Sequence, residues 1–319
     1  MTTAVASPPM TAAKSSRRTL RRIAAVLLAI TLVGGTGGYL GFSSVIANEF
    51  TRAERHPIDR TPQVAATYED ITLRTSDGLK LQGWFFPAKG DRAAIIVHGR
   101  HSNRLEGGKA EPITSFLMQD GYSVLLFDMR GHGNSEGERF SLGLKERYDL
   151  AAAIEFMMSR GFAENRIALI GVSMGAGTVI QELLIHPNVG AVVADSAYAD
   201  VPVLVGEDLE LIAHVPSWFT PGTLLMTRLA FGLDADQIRP VEVVRAHPER
   251  AFLLIHCEND ELIPLHHARE LLAASANRAT QLWITTDCQH AWAYNVHPVE
   301  WQARVVAFLD AQIPEAVAH

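Results

Sequence analysis

The sequence predicts an α/β protein with a mostly parallel sheet of about eight strands and helices on both faces. Short apolar, β-branched segments typical of buried strands alternate along the chain with apolar residues at helical spacing. Strands separated by helices require crossover connections, which produce a parallel sheet covered on both faces. A Ser-Asp-Gly turn at residues 76–78 joins the first two strands, so we expect the sheet to begin with an antiparallel hairpin.

The predicted elements can be given in chain order. Strands are expected at residues 69–75, 80–87, 93–98, 123–128, 166–172, 189–195, 251–257 and 281–286. Helices are expected at residues 111–120, 144–160, 176–185, 266–276 and 297–312. Residues 196–250 interrupt the alternation with several prolines, which predicts a short helical, cap-like insertion that forms a lid or substrate wall.

The N-terminal part predicts a membrane segment. Residues 23–47 contain no charged side chain, and Lys14, Arg17, Arg18, Arg21 and Arg22 precede them. This segment is long enough to span a bilayer, and the positive-inside rule then places the rest of the chain outside the cytoplasm. A secreted protein with a cleaved signal sequence is the alternative, and a cytoplasmic protein is the third interpretation.

We therefore expect residues 1–48 to be a basic tail plus a membrane anchor or signal segment, 49–66 a polar linker, and 67–319 the catalytic domain. The chain carries a net charge of −7, and removing the basic tail makes the remainder still more acidic. Phosphate binding needs a basic face, so nucleic acid is not expected as a partner. The sequence carries no indication of oligomeric state.

A Gly-x-Ser-x-Gly motif at residues 171–175 marks the centre of the predicted site. It lies between the strand at 166–172 and the helix at 176–185, the context in which such a turn projects a serine hydroxyl above a sheet. The glycines are expected because a tight strand-to-helix turn leaves no room for a Cβ beside the serine. Ser173 is therefore the candidate nucleophile.

A serine nucleophile needs a base and an acid that orients the base. Asp260 follows the strand at 251–257, and His290 follows the strand at 281–286, so both are expected at the sheet edge where Ser173 lies. Asp195 also ends a strand and is the competing acid, although a structural role in the next turn is favoured. His266, His267 and His297 stand at helix starts, which favours solvated or capping histidines.

The order Ser173, Asp260, His290 and the motifs around them resemble the α/β-hydrolase family, in particular its bacterial esterase-like and serine-aminopeptidase-like members. The resemblance covers roughly residues 69–309 and includes His98-Gly99-Arg100 and the Asp-x-Arg-Gly-x-Gly-x-Ser turn at 128–135. It implies an α/β-hydrolase fold and an oxyanion hole formed by the backbone N–H groups of Arg100 and Met174. The turn at 128–135 is chiefly structural in that family.

The resemblance implies a serine hydrolase that cleaves an ester, or an amide, of a small or lipid-like acyl substrate through an acyl-enzyme. An acyltransferase or a peptidase with the same triad, and a non-catalytic binding protein on this fold, are the alternatives. A dehalogenase would need a carboxylate in place of Ser173. No cofactor is expected, and no metal site, because the histidines lack the spacing of a helical zinc motif.

The two cysteines, Cys257 and Cys288, lie close in sequence to the candidate acid and base. The strand order that the resemblance implies would place them near the same strand ends, where an exported protein could form a disulfide. Two reduced cysteines used as small apolar fillers are the other interpretation, which is slightly favoured because neighbouring strands often orient Cβ atoms badly for a bridge.

Overall fold

A computed structural model describes residues 12–315, with side chains described from residue 17 onward. The start of the expected basic tail, including the Lys14 side chain, and residues 316–319 lie outside the described part. The described strands are β1 Glu69–Arg74, β2 Lys80–Phe86, β3 Arg92–Val97, β4 Tyr122–Phe127, β5 Ile167–Val172, β6 Ala191–Asp195, β7 Phe252–Cys257 and β8 Gln281–Thr285.

The strands form one eight-stranded sheet in the order β1-β2-β4-β3-β5-β6-β7-β8. The β1–β2 and β2–β4 pairs are antiparallel, and every pair from β4 to β8 is parallel. The sequence predicted this sheet and its initial hairpin, and both are confirmed. The predicted strand boundaries agree with the observed ones within about two residues.

The described α-helices cover both faces of the sheet. They are α1 Ala12–Thr51, α2 Ala110–Gln119, α3 Glu146–Ser159, α4 Met174–Gln181, α5 Val201–Leu211, α6 Thr220–Phe231, α7 Pro240–Ala246, α8 His266–Ala274, α9 Ala293–Val296 and α10 Pro298–Gln312. Successive residues of the central strands point to opposite faces: Ile95 and Leu169 pack with α3 and α4, whereas Ile96 and Ile170 pack with α2 and α10. This two-sided burial explains why the central strands are buried at every position and are mostly apolar.

Three helices, α5 to α7, arise from the segment between β6 and β7, and α5 and α6 form a small cap above the strand ends. The apolar face of the cap contains Leu204, Val205 and Leu209 of α5 and packs with Ile46 of α1 and Ile263 of the β7–α8 loop. The predicted helical insertion is therefore observed, and helix α1 contributes to its packing.

Helix α1 is a single helix that continues through the glycine-rich stretch at residues 34–38. Its residues 17–38 are exposed or nearly so, whereas Ser43, Ala47 and Thr51 near its end are buried against the folded part. Among the described residues it is the one helix long and apolar enough to cross a membrane, a property that signal sequences share.

Candidate active site

Ser173 lies at the sharp turn between β5 and α4. Its backbone φ is 54°, a left-handed value that non-glycine residues rarely adopt, and its side chain is buried to 7% exposure. A Cβ on Gly171 would overlap the carbonyl of Gly175, and a Cβ on Gly175 would overlap the carbonyl of Val97. The two glycines therefore permit the tight turn that directs the serine hydroxyl away from the sheet.

The three predicted site residues lie in one chain of hydrogen bonds. His290 Nδ1 is 2.8 Å from Asp260 Oδ2, and His290 Nε2 is 2.8 Å from Ser173 Oγ. Because a carboxylate only accepts hydrogen bonds, the proton of the neutral imidazole belongs on Nδ1, and Nε2 accepts from the serine hydroxyl. In this geometry the imidazole can remove the serine proton, and the carboxylate orients the ring and stabilises its cationic form.

Asp260 is fixed in place by its own loop. Its second carboxylate oxygen accepts hydrogen bonds from the backbone N–H of Leu262 at 3.0 Å and of Ile263 at 2.8 Å. His256 lies nearby, but it donates from Nε2 to the Ile263 carbonyl at 2.8 Å, and burial lowers its pKa. His256 is therefore a neutral side chain that fixes the loop, which leaves one oxygen of Asp260 for His290.

A disulfide joins the two loops that carry Asp260 and His290. The Cα atoms of Cys257 and Cys288 are 5.5 Å apart, and their sulfur atoms are bonded. Both cysteines are buried in the apolar cluster on one face of the sheet. The sequence left a disulfide and two reduced cysteines as alternatives, and the structure contains the disulfide.

Asp195, the competing acid, binds other groups. Its carboxylate accepts from Trp301 Nε1 at 3.1 Å and from the Ser196 hydroxyl at 3.1 Å, and burial raises its pKa. Ser196 Oγ in turn accepts from the backbone N–H of Ala291, next to His290. Asp195 therefore supports the histidine loop without contacting the imidazole, consistent with the structural role that the sequence favoured.

The loop after β3 places Arg100 beside the serine. Arg100, Ser173 and Met174 line the same small cavity, and no described group accepts a hydrogen bond from the backbone N–H of Arg100 or Met174. His98 fixes this loop because its ring bonds the Gly99 carbonyl at 2.7 Å and accepts from the Met129 N–H at 2.9 Å. Burial lowers the pKa of His98, which agrees with a neutral, structural ring.

The Asp-x-Arg-Gly-x-Gly-x-Ser turn follows β4, the strand next to β3, and its side chains bind neighbouring loops through hydrogen bonds and ion pairs. The Asp128 carboxylate accepts from the backbone N–H of Arg104 at 2.7 Å and of Asn134 at 2.9 Å. Arg130 forms ion pairs with Asp149 and Asp77. None of these groups lines the cavity at Ser173, so the turn acts on the site by fixing neighbouring loops.

Sequence reasoning missed one charged residue of the cavity. Asp208 of α5 lines it together with Leu204, and its carboxylate lies 3.9 Å from the Arg100 guanidinium. Burial raises the pKa of Asp208 to about 6, and Arg100 opposes this increase. Segment 201–212 contains three acidic residues, Glu207, Asp208 and Glu210, and nothing in the sequence distinguishes Asp208 as the one that is buried.

Glu207 connects the cap to α8. Its carboxylate lies 2.7 Å from His266 Nε2 and 2.9 Å from His267 Nε2. His267 Nδ1 accepts from the Ala199 N–H, so His267 Nε2 carries the proton and donates to Glu207; it has no lone pair for a metal ion. His267 is fully buried, so the expectation of a solvated or capping histidine is wrong there.

The eight-stranded sheet and the serine on its strand-to-helix turn define an α/β hydrolase. The family model described as serine aminopeptidase, S33 matches residues 88–251, about half of the chain. The protein therefore belongs to this family of α/β hydrolases, as the sequence motifs indicated.

Two known relatives match about three quarters and about half of the chain. An uncharacterized protein of Bacillus subtilis, YqkD, is 27% identical over 244 residues, which cover 75% of this chain and 78% of that protein. An uncharacterized membrane protein of Saccharomyces cerevisiae, YNL320W, is 25% identical over 155 residues, which cover 48% and 54%.

Solved structures share the fold. An esterase of Pyrococcus furiosus superposes with a TM-score of 0.69 at 28% identity and covers 83% of this chain and 98% of its own. Est1E of Butyrivibrio proteoclasticus, solved with ferulic acid bound, has a TM-score of 0.61 at 20% identity and covers 77% and 100%, which shows the fold alone.

Proposed function

We propose that this protein is a membrane-anchored serine hydrolase that cleaves an ester bond of a small or lipid-like acyl substrate. Ser173 is the nucleophile, His290 the general base and Asp260 the acid that orients His290. The observation that carries the proposal is the chain of two 2.8 Å hydrogen bonds that connects these three side chains.

The reaction proceeds through an acyl-enzyme. His290 Nε2 takes the Ser173 proton as Oγ attacks the ester carbonyl, and the negative charge on the carbonyl oxygen is stabilised by the N–H groups of Arg100 and Met174. Each such donor contributes about 3 kcal/mol in the transition state. The protonated His290 then gives its proton to the leaving alcohol, and water attacks the acyl-enzyme with His290 again as base.

An apolar cavity supports a lipid-like acyl group. It lies beside the cavity at Ser173, between the end of α1 and the cap, and Leu142 lines both cavities. Its walls include Phe50, Val205 and Leu224. The cavity has a volume of only about 30 Å³, so an acyl chain that passes Leu142 must displace side chains of its wall. Once enclosed by these apolar side chains, the chain is favoured by about 0.8 kcal/mol for each buried methylene.

Helix α1 supports anchoring, and the disulfide supports a catalytic domain outside the cytoplasm. Residues 23–47 are uncharged and follow a basic cluster, and one relative is named as a membrane protein. A Cys257–Cys288 disulfide persists in an oxidising compartment. The proposed topology is therefore a single-pass protein with residues 67–319 as its external catalytic domain.

A fluorophosphonate probe tests the nucleophile. Wild-type protein should be labelled at Ser173, and Ser173→Ala should lose labelling and ester hydrolysis while it keeps its thermal unfolding transition. A p-nitrophenyl ester series from acetate to palmitate then measures the acyl site. Persistent labelling of Ser173→Ala would place the nucleophile elsewhere, and a folded wild type without labelling would favour a non-catalytic binding protein.

A peptidase is the second candidate, and Asp208 is the observation that favours it. A carboxylate in the cavity could bind the ammonium group of an amino-terminal residue, and the matched family model is described as a serine aminopeptidase. However, Asp208 already lies near the Arg100 guanidinium. Faster turnover of aminoacyl amides than of esters, together with its loss in Asp208→Asn, would favour the peptidase.

A further inference from the structure

The C-terminal part of α1 packs against the cap through aromatic rings. Tyr39 stacks on Trp218 and Phe219 with centroid distances of 5.5 and 5.2 Å, and Phe42 packs edge-on against Phe219 at 4.8 Å. The Tyr39 hydroxyl donates to the Trp218 carbonyl at 3.0 Å and accepts from the Gly222 N–H at 2.9 Å. The position of the cap is therefore fixed relative to the apolar helix.

If α1 spans a bilayer, these contacts lie at the level of the membrane surface. Tyr39 lies about 26 Å along the continuous helix from Arg22, the last charged residue before the apolar segment. The hydrocarbon layer of a bilayer is about 30 Å thick, so a spanning α1 places Tyr39 and Trp218 near its far boundary. Tyrosine and tryptophan are the residues enriched at that level.

The part of the cap nearest to this boundary is apolar. We call residues 211–219, which connect α5 to α6, the cap tip. No Asp, Glu, Lys or Arg occurs from residue 211 to residue 227. Within the tip, Leu211, Ile212 and Trp218 are 56%, 50% and 61% exposed.

The direction of α6 shows which part of the cap is nearest to the membrane boundary. The start of α6 lies beside Tyr39, because Gly222 bonds to its hydroxyl. Thr227, further along α6, lines the apolar cavity with Phe50 and Thr51 at the end of α1. The two helices therefore run in the same direction, away from the bilayer, and the cap tip is at the membrane end.

We propose that the cap tip inserts into the lipid interface on the side of the membrane opposite the basic cluster. The occupant of the exposed apolar surface is the bilayer, because α1 fixes the tip at that level and residues 211–219 carry no Asp, Glu, Lys or Arg. The titratable groups nearest to this surface are His214 and, at its border, Glu210, whose carboxylate accepts a hydrogen bond from the Ser217 N–H at 3.2 Å. The inference rests on the proposed anchoring by α1. Since α5 connects the tip to Leu204 and Asp208 in the cavity, the inserted tip brings the site next to acyl chains in the membrane.

Photolabelling from the lipid tests this arrangement. The full-length protein is placed in phosphatidylcholine nanodiscs that contain a phospholipid with a diazirine in its acyl chain, irradiated, and mapped by mass spectrometry. We expect adducts in residues 23–38 and in the cap tip. Val299, an apolar residue of α10 that is 80% exposed, provides the matched control and should carry none.

A variant sharpens the test. Combined Leu211→Ser, Ile212→Ser and Trp218→Ser should lower labelling of the tip about tenfold by reducing its apolar surface, while labelling of α1 persists. Fluorophosphonate labelling in detergent checks that this variant is folded, and the wild-type map decides the question even if it is not.

The outcomes separate the inference from the anchoring on which it rests. Labelled α1 with an unlabelled tip would overturn the insertion of the cap and leave the anchor in place. A tip labelled no more than the Val299 peptide would do the same. An unlabelled α1 would overturn the anchor and the insertion together, whereas the proposed ester hydrolysis is tested independently by the probe at Ser173.

Discussion

The strand ends that carry the candidate triad and the cap that covers them position their polar groups differently. At the strand ends these buried carboxylates accept two or three hydrogen bonds each: Asp260 binds two backbone amides and His290, and Asp195 binds Trp301 and Ser196. These bonds fix the side chains in one geometry, since an unpaired buried carboxylate would be costly.

In the cap, polar links to the sheet are few. Arg100 and Asp208 are 3.9 Å apart, and Glu207 binds two histidines of α8. The cap otherwise packs through apolar side chains, Leu204 and its neighbours, and is hydrogen-bonded to α1 through the Tyr39 hydroxyl. The comparison teaches that the two regions are stabilised by different kinds of contact, so substitutions in one region should leave the other largely unchanged.

The largest effect is expected at the triad. His290→Ala should lower kcat by about 10⁴ or more, because no base then removes the Ser173 proton. Asp260→Asn should cause a loss of about 10⁴, since an amide allows the wrong imidazole tautomer. Steady-state ester hydrolysis measures both.

Asp195→Asn is the matched control, because Asp195 is also a buried aspartate at a strand end. It should lower thermal stability more than kcat, since it supports Trp301 and Ser196. If Asp195→Asn reduced kcat more than Asp260→Asn, the assignment of the acid would be wrong.

The disulfide provides the next largest effect. Replacing Cys257 and Cys288 by alanine should lower the free energy of unfolding by about 4 kcal/mol, as expected for a loop of 31 residues. Reductant should lower the Tm of the wild type and leave that of the double variant unchanged. Equal responses in the two proteins would show that the sulfurs are not bonded in solution.

Leu142, which packs against the cap from the loop between β4 and α3, tests whether the acyl preference can change without changing the chemistry. Leu142→Ala should join the two cavities and raise kcat/KM for long-chain esters about tenfold relative to short ones. Leu262→Ala is the control, because Leu262 lines only the cavity at Ser173. An unchanged chain-length profile in Leu142→Ala would argue against an acyl chain in the apolar cavity.

The smallest effect is expected at His266, which Glu207 of the cap binds. Burial lowers the pKa of His266, but its hydrogen bonds to Glu270 and Glu207 outweigh burial and raise the pKa above its ordinary value. A raised histidine pKa stabilises the folded state below the unfolded pKa of about 6.5, and this stabilisation is lost as pH rises through the folded pKa. His266→Gln should therefore lower Tm by about 1–2 °C at pH 6 and by less at pH 8.5.

His56→Gln, at an exposed histidine after α1, is the control, and its Tm at the two pH values measures the effect of replacing a surface histidine alone. A Tm difference for His266→Gln that is equal at both pH values would mean that His266 stabilises the cap without carrying charge.

The sequence predicted the sheet and the place of Ser173 because both follow from local patterns. A buried strand, two glycines and a helix are adjacent in the chain, and parallel strands bring their carboxyl ends to one edge. Asp260 and His290 could be located by the same rule. Their hydrogen bonds to each other and to Ser173 are what the structure adds.

The contacts of the cap with α1 and α8 could not be predicted from a comparable pattern in the sequence. Tyr39 and Trp218 are 179 residues apart, and the burial of His267 depends on Glu207 from a different element. Neither contact produces a repeating pattern in the sequence, because packing between distant elements depends on shape rather than on periodicity. The packing of α1 on the cap therefore required the three-dimensional structure.

The bridge between Cys257 and Cys288 also affects how the sheet can open. β8 is the last strand in the sheet order, and edge strands are among the first parts of a fold to detach in local unfolding. The bridge lies at the end of this strand that precedes His290, so separation of β8 from β7 must begin at the other end, near Gln281. Partial opening of the sheet edge therefore leaves the loops of Asp260 and His290 joined. When β8 pairs with β7 again, the two loops are already close to each other.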